Sequence, residues 1–408
     1  MERDVPGQAF AGIKVVDFTW AGVGPLMSRY LANHGATVVR IESATRPDIV
    51  RMAPPFAGGV AGLNRSGYFS GFNSDKYGIS LNLNHPRGPE VAKRAVAWAD
   101  IVLEGFTPGV IDRWGLGYEE LRKVKPDIIM VSTSNQGQTG PHAQHPGYGT
   151  QLVSLVGFTD ITGWPDRVPT QPYGAYTDVV APRLGTAAII AALDHHQRTG
   201  EGQFLDLSQF EASLHFLSPL LLDYQANGRE TSRQGNAYPP AAPHNAYRCL
   251  GHDRWCAIAV FTQEEWAALC GVMGDPQWTR GGRFATPQAR CENRDELDRL
   301  VETWTLAHSA PEVMALMQAA GVGAGVVSSA RDLLEDPQLE HRHHFWRLEH
   351  PEMGPHLHNG PPFQLSRTPA KLRMSAPCLG EHNEYFYRGL LGMSDEEFVE
   401  LLTDGVLE

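Results

Sequence analysis

Over its first 150 residues the chain alternates short β-branched runs with segments of helical periodicity, and few architectures accommodate that alternation. "IKVVDFT" (Ile13 to Thr19) reads as a buried strand. "GPLMSRYLANHG" (Gly24 to Gly35) spaces its apolar residues as a helix does and ends in glycine. "ATVVRIE", "YGISLNLN", "DIVLEGF" and "DIIMVSTS" repeat the strand signal, with the helical "PRGPEVAKRAVAWA", "PGVIDRWG" and "YEELRKVK" among them. Strands joined by crossover helices predict an α/β fold with a parallel sheet covered on both faces. Such sheets bind ligands beyond the carboxyl ends of their strands, so the loops after Thr19, Glu42, Leu83, Phe106 and Ser134 carry the functional expectation.

The pattern then changes. Thr177 to Ala192 is helical, with Gly200 as its stop, and "FLDLSQFEASLHFLSPLLLDYQ" reads as a strand entering a long apolar helix. "NGRETSRQGNAYPPAAP" (227–243) has linker composition. We expect a large domain over 1–226, a smaller α/β domain with its linker over 227–327, and a return over 328–408. That return should hold the helix "SARDLLEDPQL", short β segments and the capped terminal helix "SDEEFVELLTDGVL".

Charge and cysteine usage narrow the partners. A formal net charge of −12 with no basic tract argues against nucleic acid. No apolar run reaches the roughly 18 residues of a membrane helix, and no secretory signal opens the chain. Five scattered cysteines without a Cys-x-x-Cys pair suit inert thiols in a cytoplasmic protein.

Several constellations are candidates for chemistry. "TWAGVGPLM" could bring the backbone of Gly22 and Gly24 to a phosphate or acyl group, or could be only a tight turn. It is not G-x-G-x-x-G, which argues against nicotinamide. "EHRHHF" and "HPEMGPHLH" are histidine-rich, but the spacing fits no metal motif, and a solvated polar segment is the expectation. Neither a nucleophile elbow nor a P-loop occurs. Asp178, in "GAYTDVVAPRLG", is open to two readings. As a helix N-cap it stabilises by about 1 kcal/mol, and the helix N-terminus would lower its pKa. As an ionised carboxylate it could attack a carbonyl.

Taken in order, "GIKVVDFTWAGVGPLMSRYLANHGATVVRIE", "YGISLNLNHPRG", "ADIVLEGFTPGVIDRWGLGYEELRKVKPDIIMVSTSNQGQTGP", "GAYTDVVAPRLGTAAIIAALDHHQRTGEGQFLDLS", "GVGAGVVSSARDLLEDPQL" and "LGEHNEYF" resemble the class III CoA-transferases, the CaiB/BaiF type. That family includes the formyl-CoA and carnitine CoA-transferases. The resemblance implies a Rossmann-like large domain with a smaller second domain, two protomers interlocked like links, as a homodimer or a heteromer with a related subunit, and coenzyme A as the only cofactor. It implies that Asp178 is the nucleophile, passing through mixed anhydrides and an aspartyl-CoA thioester, with the backbone N–H groups of Gly22 and Val23 facing the oxyanion. CoA contacts carry over to Leu81, Asn82, Leu83 and Asn84; to Gly105, Phe106 and Thr107; to Arg113 for the phosphates; and to Pro146, Gly147, Tyr148 and Gly149 beside the nucleophile.

Departures from the family shape the expectation. Gly22 stands where formyl-CoA transferase has a glutamine, and Gly149 where it has a glutamate. Tyr148 stands where the related racemases keep a histidine, which disfavours proton abstraction, although His145 is near. The "PHNAYRC" stretch resembles members acting on succinate-type or aromatic dicarboxylates, such as the benzylsuccinate CoA-transferases. Succinyl-CoA is then the expected donor, and an aromatic or alkyl dicarboxylate the acceptor. Arg46, Arg51 and Arg65, on the loop after the second strand, are expected to hold its second carboxylate. A racemase or isomerase, and a non-catalytic subunit of a heteromer, are the alternatives.

Overall fold

Six strands form the central sheet of the computed structural model, which describes residues 7–408. They are β1 (Lys14–Asp17), β2 (Thr37–Glu42), β3 (Tyr77–Ser80), β4 (Ile101–Glu104), β5 (Ile129–Ser134) and β6 (Phe204–Ser208). The order is β3-β2-β1-β4-β5-β6, and every neighbouring pair is parallel. The strand order reverses between β1 and β4, so the crevice of such a sheet opens there.

Side-chain alternation decides how the sheet is covered. On one face Val15, Val38, Ile101, Leu103 and Val131 pack with Met27 and Leu31 of the Val23–Asn33 helix and with Ala181, Ile189 and Leu193 of the Tyr176–Thr199 helix. On the other, Val16, Val39, Val102 and Met130 pack with Val91, Ala95 and Val96 of the Gly88–Trp98 helix and with Phe386, Phe398 and Leu401. Each of the buried Val, Leu, Ile, Met and Phe side chains among them contributes about 1.5–3 kcal/mol. The strands are shorter than the apolar runs that encode them. Past β1 the Asp17 carboxylate accepts the Thr19 amide at 2.9 Å, and past β3 the chain turns at Asn82–His85.

A charge network lies inside this unit. Arg40, Arg51 and Lys76 oppose Asp17, Glu42 and Asp48, and all but Glu42 (3 % exposed) are 0 % exposed. Arg40 Nε meets Glu42 at 3.1 Å, its other arm meets Asp48, and Lys76 Nζ meets Asp17 at 3.0 Å. Burial works to raise the Glu42 carboxyl, but the Arg40 and Arg51 charges outweigh it and hold the group at about 2. Asp48 also accepts the backbone N–H of Ala21 at 3.1 Å. Ala21 has φ 58°, a left-handed conformation that a non-glycine residue adopts only when held.

The described residues form two compact units. The first takes the chain up to Phe158, then Gln171–Glu230 and Glu340–Glu408; the second takes Thr159–Thr170 and Thr231–Leu339. Thr159–Thr170 and residues 328–339 therefore stand apart from the segments that the reading along the chain grouped them with. The Gly235 amide bonds the Gly163 carbonyl at 2.8 Å, and Arg233 bonds the Asp160 carbonyl at 3.0 Å, which ties the short segment into the second unit. That unit holds an antiparallel sheet of β7 (His244–Arg248), β8 (Trp255–Ala259) and β9 (Gly323–Val326) over a core of Ile258, Trp266, Leu269, Val301 and Met317.

Two helix expectations are corrected. The apolar run after β6 breaks into Gln209–Leu214, a short turn and Ser218–Asn227, because Pro219 starts a new helix. "SARDLLEDPQL" is likewise split, with Pro337 opening its second piece. The histidine-rich segments contribute an antiparallel hairpin of β10 (Phe345–His350) and β11 (Gly354–Asn359) in the first unit, where His356 bonds Ser70 at 2.7 Å. No group of three or more His, Cys, Asp or Glu among the described residues is arranged to hold a metal. All five cysteines are free, and burial pushes the thiols of Cys256, Cys270 and Cys378 up to about 11. Among the described residues no helix is long and apolar enough to cross a membrane.

Candidate active site

The carboxyl ends of the six strands converge on one cavity of about 600 Å³ in the first unit. Its wall draws Trp20 to Gly24 from beyond β1, Ser43 and Arg46 from beyond β2, Leu81 to Asn84 from beyond β3, Gly105 to Thr107 from beyond β4, Asn135 from beyond β5 and Gln209 from beyond β6. Arg113, Pro146 to Gly149 and Asp178 line it as well. Every residue singled out for CoA, together with Gly22, Val23 and Asp178, therefore lines the same space.

Two helix starts meet there. The Tyr176–Thr199 helix precedes β6 and runs antiparallel to it, so its first turn lies at the carboxyl edge of the sheet. The Val23–Asn33 helix starts beside it. They pack closely because Gly185 leaves room for Met27: a Cβ on Gly185 would lie 2.2 Å from the Met27 sulfur. Asp178, seven residues before Gly185, is thereby set against the Gly22 turn.

Asp178 is pinned between two glycines. A Cβ built on Gly22 would lie 3.0 Å from Oδ2, and one built on Gly149 would lie 2.0 Å from Oδ1. Glycine at 149 is thus a steric requirement of the carboxylate pose, whereas at 22 a Cβ would press on the carboxylate by only a few tenths of an ångström. A Gly149→Ala enzyme must rotate or displace Asp178. We expect its transfer rate to fall about 100-fold or more with donor KM nearly unchanged, in keeping with the cost of small misplacements at a reacting group. A steady-state comparison checks it, and wild-type kcat would refute the steric requirement.

The expected N-cap is corrected. Ala175 caps the helix, and Asp178 is its third residue. The expected lowering of its pKa is corrected too. Burial dominates and raises the carboxyl to about 6, and the hydrogen bond from Gln209 pulls the other way without prevailing. Among the described residues no cation forms an ion pair with it; Gln209 Nε2 donates to Oδ1 and, at 2.8 Å, to Thr177 Oγ1. Burial and then the Asp178 charge also raise the phenol of Tyr68, which puts that side chain within the field of the carboxylate.

The arginines divide. Arg46 lines the cavity with its guanidinium over the Trp20 ring at 5.2 Å. Arg51 does not: it is 0 % exposed, bonds Glu42 at 2.7 Å and Asn64 at 3.0 Å, and stacks on Phe69 at 3.6 Å. Arg65 spends its donors on the carbonyls of Ala57, Val60 and Glu352. Neither is a wall residue, so Arg51 and Arg65 are withdrawn as substrate anchors; their partners inside the protein already satisfy them.

Gln209, Trp20 and Tyr68 were missed by the sequence reading. The signal for Gln209 was present. It directly follows a strand, and the loop rule applied to the other strands points to it equally.

A profile of the family described as CoA-transferase family III matches residues 10–383. The chain belongs to CoA-transferase family III. This CoA-transferase is 32 % identical over 408 residues to the succinyl-CoA–D-citramalate CoA-transferase of Chloroflexus aurantiacus, covering 100 % of both chains. It is 28 % identical over 398 residues to the human succinyl-CoA:glutarate CoA-transferase, covering 97 % of this chain and 89 % of that protein. A crystal structure of a CaiB/BaiF family protein from Brucella suis superposes with a TM-score of 0.86 at 30 % identity, covering 94 % of this chain and all of the other. As a CoA-transferase the enzyme takes an acyl-CoA donor and an acid acceptor.

Proposed function

We propose that the enzyme moves CoA from succinyl-CoA to a small dicarboxylic acid through covalent intermediates on Asp178. The observation that carries this is the carboxylate itself: desolvated, free of a countercharge, and set in the cavity wall beside the uncapped start of a helix. A carboxylate stripped of solvent is a better nucleophile than a hydrated one.

Asp178 adds to the donor thioester and expels CoA thiolate, leaving a mixed anhydride. The thiolate adds to the aspartyl carbon and releases the donor acid, leaving an aspartyl-CoA thioester. The acceptor carboxylate reverses these two steps and departs as the new thioester. No side chain caps the Val23–Asn33 helix, so the N–H groups of Gly22 and Val23 are free to receive the oxyanion on the donor carbon. Arg113 suits the nucleotide phosphates. Arg46, rather than Arg51 or Arg65, suits the second carboxylate of the acceptor. The resemblance to the citramalate and glutarate transferases favours succinyl-CoA and an alkyl diacid over an aromatic one. Interlocked protomers suit the Ser218–Asn227 helix, none of whose residues is buried and which exposes Leu221, Leu222 and Tyr224.

The test is intact-mass analysis after mixing with succinyl-CoA and no acceptor. The expected product is one CoA-thioester adduct that hydroxylamine removes and that maps to Asp178. Full transfer activity with no adduct at Asp178 would sink the proposal.

A further inference from the structure

Gln209 begins the helix after β6, is 4 % exposed, and has both amide hydrogens engaged, one on Thr177 Oγ1 and one on Asp178 Oδ1. The Thr177 hydroxyl in turn donates to the Gly149 carbonyl at 3.3 Å. That hydroxyl has one hydrogen, so it can only accept from Gln209, and an ionised carboxylate can only accept as well. The direction of the whole chain is therefore set: the amide nitrogen faces the carboxylate. Oδ1 lies toward Gly149 and Gln209, while Oδ2 lies toward Gly22 and the helix start.

We infer that Gln209 is a catalytic hydrogen-bond donor for the steps at the aspartyl carbon, stabilising the negative charge that develops on Oδ1 when Cγ is attacked. This rests on the aspartyl-thioester mechanism proposed above. Oδ2 forms the bond to the donor carbonyl carbon, and CoA leaves with the C–S electron pair. The thiolate sulfur then adds to Cγ, and the π pair of the Cγ–Oδ1 bond moves onto Oδ1. Its return breaks the Cγ–Oδ2 bond and releases the donor acid, which carries Oδ2 away. The acceptor carboxylate adds to Cγ in the same manner, expels the thiolate, and leaves one of its own oxygens in place of Oδ2. Oδ1 alone stays through the cycle and becomes an oxyanion twice in each turnover.

A neutral amide suits this position. It donates to a carboxylate and to an oxyanion alike without moving a proton, and it is already oriented when charge develops. A lysine or arginine there would stabilise the resting carboxylate more strongly and blunt its attack. The site also has a vacancy to fill, since Gly22 and Gly149 carry no polar side chain of their own. Gln209 reaches the carboxylate from a third direction, off the last strand of the sheet.

Gln209→Leu keeps the volume and removes the donors. With succinyl-CoA and no acceptor, a thiol reagent should still report CoA release at a near-wild-type rate, because the first attack is on the donor carbon. Aspartyl-CoA formation by intact mass should slow about 100- to 1000-fold, and kcat with it, while the donor KM stays within about threefold. Equal slowing of thiol release and adduct formation would assign Gln209 a packing role and overturn the inference, as would wild-type adduct kinetics. Gln209→Glu guards against a misfolded leucine variant. A glutamic acid donates only when protonated, so its activity should fall with rising pH, and a wild-type profile would overturn the inference. Failure of the underlying mechanism is separately visible as absence of the adduct in the wild-type enzyme.

Discussion

Asp178→Asn should lose at least about 10⁴-fold in CoA transfer and at the same time be more stable than the wild type. The loss follows from its proposed part in the chemistry. An amide cannot add to a thioester, and no second carboxylate within the cavity wall is placed against the Gly22 turn, so the covalent route closes altogether. The gain follows from burial. The folded carboxyl sits at about 6, above its ordinary value of 3.8, so folding favours the protonated form. Its stabilising share is whole below the ordinary value, declines as pH rises from about 4 to about 6, and is gone at pH 7. There the wild type carries the full cost of an ionised, desolvated group, on the order of 1–3 kcal/mol, which asparagine removes. Wild-type kcat/KM should for the same reason rise through about pH 6. Urea melts at pH 7 and pH 4.5 with steady-state rates check both halves. A variant that is inactive and also less stable at pH 7 would mean that the carboxylate supports the fold rather than strains it.

Arg40→Met should destabilise the protein by about 3–5 kcal/mol, the usual consequence of removing one partner from a buried ion network. Three cations and three carboxylates balance there, and methionine leaves one carboxylate charge uncompensated. Asp48 suffers most, since Arg40 is its cation. The damage should reach the cavity. Asp48 is what holds the Ala21 amide, and Ala21 keeps a left-handed backbone immediately before Gly22. Transfer activity measured well below the melting point should therefore fall too. Adding Asp48→Asn should recover part of the stability by restoring neutrality. Equilibrium unfolding in urea measures the first effect. A loss under about 1 kcal/mol would show that water enters the network and screens it.

Much of the first unit was legible because its strands are buried on both faces and so read as unbroken β-branched runs. "IKVVDFT", "ATVVRIE" and "DIIMVSTS" are such runs, and the loops after them do converge on one space. β7 carried no such signal: "HNAYR" has no β-branched residue, and its pairing with β8 is what makes it a strand. The place of Asp178 near a helix start was readable, but not which residue caps that helix, since a carboxylate anywhere in a first turn leaves the same composition. Arg51 was misread for a related reason. An arginine in a loop beyond a strand looks alike in sequence whether its guanidinium turns inward to Glu42 or outward to a ligand. Only the positions of Glu42 and Phe69 decide.

The segment Glu340–Glu408 belongs to the first unit although the second unit's residues precede it in the chain. Its Phe386, Tyr387, Phe398 and Leu401 enter the sheet's core, and the Glu408 carboxylate bonds Ser43, a residue of the cavity wall, at 2.7 Å. The Arg373 amide likewise reaches back to Asp75 at 2.7 Å. During synthesis the ribosome delivers β1 to β6 long before these partners exist. The nascent sheet must therefore wait with one face partly bare while the inserted segment is made. Closure across more than 300 residues of chain is an intrinsically slow event, and it exposes apolar strands to other chains meanwhile. The Ser43 edge of the cavity is thus among the last contacts the chain can complete.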